Sequence, residues 1–289
     1  MVTVSETIVR PARMLTSSDH GFGSITMGST ELRLARDNSD VEAAQELRYR
    51  VFYEEMGAEP SHESVVLGLD QDSFDSAAEH LLVIDHSRGG VVVGTYRLLR
   101  RRFSEKSGGF YTSREFDISK LTRVKGEILE LGRSCVARDF RSRATISLLW
   151  RGLAAYAFTH KIELMFGCAS FPGRNPDIHA EALSYLHQNH LAPLDLRPTA
   201  LPTRYLDMNI LSHREIDPRR SMGDLPPLIK GYMRLGGWVG DGAVIDQQFN
   251  TIDVCIIVRM ANLARRYSRH YARDHERSTQ GSGLGSGFQ

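Results

Sequence analysis

The chain has 289 residues, of which 41% are hydrophobic and 25% charged, so it can bury a substantial core as one large domain or two small ones. Its formal net charge of +1 excludes a general electrostatic attraction to nucleic acid, and any basic function must come from local clusters. The sequence contains neither a run of roughly 20 apolar residues nor the apolar core of a signal peptide, so we expect neither membrane spans nor secretion.

The first predicted elements are a tail, a strand, a helix and a hairpin. Residues 1–30 are polar and rich in Gly, Ser and Thr, and we expect them to be disordered. The segment ELRLA alternates like an edge strand, and Asp37 to Asp40 then supplies capping residues for a helix that ends at Gly57. The segment HLLVIDHSRGGVVVGTYRLL predicts two strands joined by a turn.

A strand, a helix and a strand follow in the segments GEILELGRSCVA, SRATISLLWRGLAAYAF and IELMFGCASF. The helix places Ile146, Leu149, Trp150, Leu153 and Ala157 on one face. After an irregular stretch we predict a helix in PPLIKGYMRLGG, a strand in TIDVCIIVRM, a basic helix over residues 263–273 and a disordered Gly/Ser tail over 277–289. This mixture predicts an α/β fold of mixed α+β layers, with a twisted mixed sheet flanked by helices in a single domain of residues 31–276.

One of these strands carries charge inside an apolar run. In a regular strand Glu130 and Arg133 would point to opposite faces of the sheet. Gly132 between them predicts a β-bulge, which would bring both charges to one face and bend the strand away from its neighbour. A splayed strand exposes unpaired amides and carbonyls, and an extended ligand that contains amide groups can pair with them.

The loop after this strand is rich in arginine and leads into a helix. It contains Arg138, Arg141 and Arg143. The N-terminus of a helix offers unpaired amides and a favourable dipole to a phosphate. Strand, loop and helix together therefore predict a site for the phosphate and the arm of a phosphopantetheine thioester.

The segment VARDFRSRATISLLWRGL resembles the acyl-donor motif of the Gcn5-related N-acyltransferase superfamily, with matches at Val136, Phe140, Arg141, Arg143 and Leu149. The resemblance implies a splayed central strand in the sheet. It also implies a donor site that contains Val136, Arg138, Arg141, Arg143 and Ala144. Because Ala144 stands where a glycine is usual, the resemblance favours a carrier-protein donor over coenzyme A.

Further segments narrow the resemblance. LRYRVFYEEMG, LDQDSFD, HLLVID, VVGTYRLL and LELGR occur in the order found in acyl-homoserine-lactone synthases and related acyltransferases. With GCASFPG, LPPLIKGYMRLGGWVGDGAVIDQQFNTIDVCIIV and RYSRHY added, residues 31–272 most closely resemble bacterial L-ornithine N(alpha)-acyltransferases. The resemblance implies transfer of a 3-hydroxyacyl group from acyl carrier protein to the α-amine of L-ornithine, which gives lyso-ornithine lipid in the first step of ornithine lipid biosynthesis.

Roles for individual residues follow from the resemblance and from the chemistry of amine acylation. Glu130 would accept the ammonium proton, and Arg133 would hold that carboxylate or polarise the thioester carbonyl. The side chains expected to shape the acceptor pocket are Arg48, Phe52, Asp72, Asp75 and Arg97. The structural alternatives are a Glu130–Arg133 pair within the strand and a capped surface turn in the segment LDQDSFD.

Several questions stay open at this level. The alternative functions are an acyl-homoserine-lactone synthase that uses S-adenosylmethionine and a non-enzymatic acyl-carrier-binding module. Asp246 and Asp253 are either turn residues or part of a site for a cationic substrate. The spacing of the histidines and of the three cysteines predicts no metal site or disulfide, and we expect no cofactor besides the donor's phosphopantetheine.

Two basic clusters, Arg97–Phe103 and residues 263–273, either contact acidic carrier protein or an anionic membrane, or are solvated. We expect a cytoplasmic protein, and we consider a peripheral contact with the inner face of the cytoplasmic membrane because the expected product is a lipid.

Overall fold

The computed structural model describes residues 23–262, and within that range the chain forms a sheet of ten strands. The strands are Ile25–Met27 (β1), Thr30–Leu34 (β2), Glu79–Asp85 (β3), Val91–Arg100 (β4), Phe116–Asp117 (β5), Glu127–Val136 (β6), Ile162–Pro172 (β7), Thr199–Ala200 (β8), Trp238–Asp246 (β9) and Thr251–Arg259 (β10). Their order in the sheet is β1-β2-β3-β4-β6-β7-β10-β9-β8-β5. The β6–β7 and β8–β9 pairs are parallel and the other pairs are antiparallel, which confirms the predicted mixed sheet.

Helices flank this sheet. They are Asn38–Tyr49 (α1), His62–Leu67 (α2), Arg101–Ser104 (α3), Ser119–Thr122 (α4), Arg143–Thr159 (α5), Ala180–His190 (α6), Pro218–Asp224 (α7) and Pro227–Arg234 (α8). The side chain of Asp37 accepts a hydrogen bond from the amide of Asp40, as expected of an N-cap, and α1 continues into a π-helical turn over Arg50–Glu55. The predicted start of the first helix is therefore confirmed.

The two main helices cover opposite faces of the sheet. Helix α5 packs on β2, β3, β4 and β7, and α1 packs on β3, β4 and β6. The predicted apolar face of α5 is largely confirmed, because Leu149, Leu153 and Ala157 are buried. Ile146 is exposed, however, and Tyr156 occupies the core instead. The buried face of α5 is thus rotated slightly from the predicted one.

Three features of the fold differ from the sequence-based prediction. Residues 25–27, in the tail that we expected to be disordered, form β1, so β2 is not an edge strand. Helix α6 lies in the stretch that we took as irregular, and β9 was also not predicted. The predicted basic helix over 263–273 and the Gly/Ser tail lie outside the described residues. Across residues 23–262, none of the helices has both the length and the apolar character that a membrane span requires.

The central strands separate at the predicted place. Strand β6 pairs with β4 along its length, but it pairs with β7 only from Glu127 to Glu130. Beyond that point β7 continues along β10, and residues 131–136 of β6 have no β7 partner. The β4–β6 register also shifts by one residue between the pairs Arg97–Gly132 and Thr95–Cys135, which places a bulge directly after Gly132. The predicted splay and bulge are both confirmed.

Candidate active site

A polar stripe crosses one face of the sheet beside this splay. His80 of β3 lies opposite Arg97 of β4, and Arg97 lies opposite Gly132 of β6. Across the splay, Ser170 of β7 lies opposite Asp253 of β10. Two buried apolar clusters border this stripe. One lies under α1, and the other joins side chains of the segments 74–78 and 110–121 to the sheet. Polar and charged groups in this stripe are therefore held in surroundings of low polarity, where their mutual interactions are strong.

Asp75 is the centre of a buried network of charges. Its carboxylate accepts hydrogen bonds from Arg48 Nη2 at 2.7 Å, Gln45 Nε2 at 2.9 Å and Arg97 Nη1 at 3.0 Å. Burial alone would raise the pKa of Asp75, but Arg48 and Arg97 hold that pKa well below its usual value. His80 Nε2 donates to the Asp75 carbonyl oxygen at 3.1 Å, and burial lowers the pKa of His80 to about 4, so its ring is neutral at physiological pH.

Two further aspartates complete the network. Asp72 lies 2.6 Å from Arg97 Nη1 and 3.1 Å from Arg133 Nη2. Asp70 lies 2.8 Å from Arg48 Nε and 3.3 Å from Arg133 Nε. Arg48, Asp72, Asp75 and Arg97, which we expected to shape the acceptor pocket, therefore form one buried charged network. Asp70 and Arg133 also belong to it, which we did not predict.

The charges in this network balance, which changes how it can act on a substrate. Arg48, Arg97 and Arg133 are matched by three aspartates within residues 70–75. The side chain of Arg48 has 0% exposure, so direct contact with an acceptor is not available to it in this conformation. Arg48 is thus held inside the network, and its part in shaping the acceptor pocket stays a prediction. Arg133, with 12% exposure, is the more accessible arginine.

Glu130 is buried, but its partners differ from those that we expected. Its Oε1 accepts the amide of Thr112 at 2.7 Å, and its Oε2 accepts the amide of Tyr111 at 3.0 Å. The Glu130–Arg133 pair is therefore not formed, because Arg133 is held by the aspartates. Burial raises the pKa of Glu130, although the hydrogen bonds from Thr112 and Tyr111 oppose the rise. Glu130 thus anchors the segment Tyr111–Arg114, and its role as a general base stays a prediction.

Arg133 has an unusual backbone conformation. Its φ is +49°, in the left-handed region that non-glycine residues seldom adopt, whereas Gly132 does not have a positive φ. Its guanidinium lies 4.9 Å from the ring centroid of Tyr111 and 4.5 Å from that of Phe249. Phe52 is half-buried and contacts the same Phe249 ring edge-on at 5.7 Å, which agrees with its expected place in a pocket wall.

A second polar cluster lies across the splay from Arg133. The Cys168 thiol donates to Glu115 Oε2 at 3.3 Å, and one ligand atom each from Glu115, Cys168 and Asp253 lie within 4.8 Å of one another. Burial and the nearby Asp253 raise the pKa of Glu115 to about 8, and burial raises the pKa of Asp253 to about 6. The buried Asp246 also contributes a repulsive charge to both carboxyls. Two arginines oppose these rises: Arg204 lies 3.5 Å from Glu115, and the charge of Arg133 acts on Asp253.

This second cluster was only partly foreseen. Asp253 and Asp246 are buried, so neither is an exposed turn residue, although Asp246 accepts the amide of Phe249 in the turn between β9 and β10. Their part in a site for a cationic substrate stays a prediction. Glu115 and Cys168 were missed because each stands alone in the sequence without a motif. Their oxygen and sulfur atoms are close enough to share a metal ion, but at neutral pH a metal would have to displace the protons that the raised pKa values keep on Glu115 and Cys168.

The predicted donor residues gather at the far end of β6. Val136 ends β6, and Ser142 caps α5 by accepting the amide of Thr145. Arg141 pairs with Glu55 at 2.5 Å and donates to the Val136 carbonyl, and Arg138 reaches Glu55 at 3.5 Å. The remaining donor residues, Arg143 and Ala144, lie exposed in the first turn of α5. The loop and helix N-terminus have the predicted arrangement, but Glu55, which we did not predict, holds two of the arginines.

Comparison with known proteins identifies the family of this chain. Residues 47–151 match the family model described as an acetyltransferase (GNAT) domain. An L-ornithine N(alpha)-acyltransferase of Agrobacterium fabrum is 45% identical over 267 residues, which is 90% of each chain. One of Brucella abortus is 47% identical over 247 residues, which cover 83% of this chain and 88% of the relative.

The chain belongs to the family of L-ornithine N(alpha)-acyltransferases. It is therefore an acyltransferase, and the alternative of a non-enzymatic carrier-binding module is excluded. Among solved structures, the AHL synthase LasI aligns with 81% of this chain and 90% of its own, at 13% identity and a TM-score of 0.42.

Proposed function

We propose that this acyltransferase moves a 3-hydroxyacyl group from acyl carrier protein to the α-amine of L-ornithine, and thus makes lyso-ornithine lipid in the first step of ornithine lipid biosynthesis. The observation that carries the proposal is the 45% identity, over 90% of each chain, with a relative named for acylation of this amine. The site agrees with it chemically, because it combines a splayed strand for an extended donor with buried acids for a cationic acceptor.

The donor arm fits the splay. Residues 131–136 of β6 have no β7 partner, so their amides and carbonyls can pair with the amide groups of a phosphopantetheine arm. A small cavity with room for about one water molecule, about 10 Å³, opens between the strands and is lined by Leu131, Phe166, Gly167, Cys168 and Tyr232, among others. We place the thioester carbon at this cavity, since the strands begin to separate here and Cys168 of the second cluster lines it.

The reaction needs one bond to form and one to break. The α-amine, once it has lost the proton of its ammonium form, attacks the thioester carbonyl carbon, the C–N bond forms, and the C–S bond breaks. The nitrogen then gives up one further proton and the departing thiolate takes up one, so the thiol leaves neutral and the net proton released is the one taken from the ammonium group. We propose Glu130 as the acceptor of the ammonium proton, because its pKa is raised and the amides of Tyr111 and Thr112, with the Thr112 side chain, leave part of its acceptor capacity free.

The acceptor suits the region between the two clusters. Ornithine carries one carboxylate and two ammonium groups. Arg133, as the more accessible arginine of the network, is our choice for the carboxylate, and the excess of acids at Glu115, Asp246 and Asp253 is our choice for the side-chain ammonium. We do not assign this ammonium to Asp72 or Asp75, which we expected to shape the acceptor pocket, since both are already neutralised by arginines.

The test is competition among acceptors with a 3-hydroxyacyl carrier protein as donor and mass spectrometry of the product. Lysine differs from ornithine by one methylene and should be discriminated by roughly 1 to 3 kcal/mol. Norvaline lacks the distal ammonium, leaves buried carboxylates unpaired and should be rejected more strongly. Acylation of norvaline at the rate of ornithine would contradict the acceptor assignment, and a homoserine-lactone product from S-adenosylmethionine would contradict the proposed function itself.

A further inference from the structure

A groove lies next to the donor loop and outside the site described above. Its volume is about 260 Å³, and α1, the first residues of β4 and the loop after β6 enclose it. The floor is apolar, formed by Leu47, Val51, Val91, Val92, Val93, Ala137 and Phe140. Val91 is 43% exposed at the start of β4. An open apolar floor of this kind suits a protein side chain that inserts from a partner.

Arginines form the rim of the groove. Arg50, Arg88 and Arg138 line it together with two acids, Glu55 and Asp139. Both acids are already engaged, Glu55 by Arg138 and Asp139 by Arg88 at 3.7 Å. Arg50 is exposed and forms no ion pair with any residue in the range 23–262. Arg88 is 59% exposed and lies over the Phe140 ring at 4.8 Å. The rim therefore presents guanidinium groups to an acidic partner.

The distance from this groove to the splay is the length that a carrier's arm must cover. Strand β6 runs from Leu131 at the cavity to Ala137 at the groove, which is about 20 Å at about 3.3 Å per residue. A carrier protein holds its thioester at the end of an extended phosphopantetheine arm, so its folded body must dock at the far end of the path that the arm follows. The α5 N-terminus, where the phosphate is expected, adjoins the same groove through Phe140.

The basic cluster that we first considered for this contact is largely unavailable. Arg100 is buried and pairs with Glu79 at 3.1 Å. The guanidinium of Arg101 donates to the carbonyls of Gly126, Thr122 and Val124. Of the three consecutive arginines only Arg102 is exposed, and these residues lie at the opposite end of β4 from the groove.

We propose that this arginine groove, defined by Arg50, Arg88 and Arg138 around the floor at Val91 and Phe140, is the docking surface for the acyl carrier protein. The proposal rests on the proposed function in that it takes its partner from there. A carrier of acidic surface complements the rim in charge, and a protruding apolar side chain from its docking helix can fill the recess. A bilayer surface would match the arginines but not a concave floor.

The experiment compares two donors that carry the same 3-hydroxyacyl group, one on holo carrier protein and one on free pantetheine. The variants are Arg50→Glu and Arg88→Glu in the groove, with Arg102→Glu as a matched charge reversal outside it. We expect each groove variant to raise KM for the carrier donor about tenfold or more, with the rise shrinking as salt increases, and to leave KM for acyl-pantetheine unchanged. Arg102→Glu should change neither.

Binding of unacylated holo carrier protein, followed by fluorescence anisotropy, gives a readout that does not depend on turnover. Binding that is weakened by both groove variants but not by Arg102→Glu would support the docking surface even if ornithine were not the acceptor. Equal KM rises for both donors, or no loss of carrier binding, would overturn it. Loss of binding to phosphatidylglycerol vesicles with carrier kinetics intact would assign the groove to the membrane instead and also overturn it.

Discussion

The Glu130→Gln substitution separates two roles that this carboxylate can have. In the structure its two oxygens accept the amides of Thr112 at 2.7 Å and Tyr111 at 3.0 Å. A glutamine keeps one acceptor and turns its NH₂ group toward the other amide, so one buried N–H loses its partner at a cost of about 1–3 kcal/mol. Because burial raises the pKa of Glu130, the neutral side chain also avoids the burial of a charge. We therefore expect unfolding free energy at neutral pH to fall by only about 1 kcal/mol.

The kinetic consequences of the two roles differ much more than their effects on stability. Loss of a general base should lower kcat by about 10²- to 10⁴-fold and remove the rising limb of the profile of kcat/KM against pH, a limb whose apparent pKa should lie above that of an ordinary glutamate. Loss of an anchor alone should lower kcat by less than about tenfold and leave that limb in place.

Urea unfolding followed by circular dichroism gives the stability, and steady-state kinetics across the carboxyl and histidine range gives the profile. Glu127→Gln, on the same strand, is the control, since within residues 23–262 the Glu127 side chain accepts a single long hydrogen bond, from the amide of Arg102 at 3.3 Å. A folded Glu130→Gln enzyme with near wild-type kcat would refute the assignment of the base.

Three further substitutions test other parts of the structure. Asp75→Asn should lower the unfolding free energy by about 3–5 kcal/mol, because it removes one of the two carboxylates that neutralise the fully buried Arg48 and leaves the network with an uncompensated positive charge. A urea midpoint close to that of the wild type would contradict this. The pKa of Glu115 is about 8 in the folded state and 4.5 for an ordinary glutamate, so the stability of the wild type falls as pH rises between these two values. Glu115→Gln does not titrate and should therefore be more stable relative to the wild type at pH 8 than at pH 4, as measured by urea unfolding at each pH. In Gly167→Ala the new Cβ would lie 2.1 Å from the Leu131 carbonyl oxygen, so thermal unfolding should occur at a markedly lower temperature than in Gly223→Ala, where the new Cβ meets nothing within 4 Å.

The sequence predicted those parts of the fold whose local signals agree with their tertiary setting. Helix α1 has a capping aspartate, the β3–β4 hairpin has its turn, and β6, α5 and β7 follow one another with clear periodicity. Helix α6 was missed because its apolar residues are interrupted by histidines and polar side chains, so its buried face becomes evident only when it packs beside β9. Strand β1 is three residues long in a polar segment, and its pairing with β2 is what defines it.

Some residues of the candidate site could likewise be grouped from the sequence, and others could not. The aspartates of residues 70–75 and the arginines at 48 and 97 could be grouped because a family resemblance links their segments. Glu115, Cys168 and Asp253 come from distant parts of the chain, and the β7–β10 pairing and the helical turn Tyr111–Arg114 bring them within 4.8 Å of one another. Single acids without a motif give no spacing from which such a contact could be predicted. Burial then changes their chemistry, since it is burial that raises the pKa of Glu115 and of Asp253.

The position of the site was easier to predict from the sequence than its internal contacts, and the conformation of Arg133 shows the reason. A glycine in a strand indicates a bulge, and the bulge is there, but the left-handed residue is Arg133 and not Gly132. A non-glycine residue in that conformation costs of the order of 1–3 kcal/mol, which must be offset by contacts elsewhere. Arg133 has such contacts in its ion pairs to Asp70 and Asp72 and in the two aromatic rings beside its guanidinium. The same ion pairs therefore hold the bulge that bends β6 away from β7, so that the charged network maintains the opening through which we propose the donor enters.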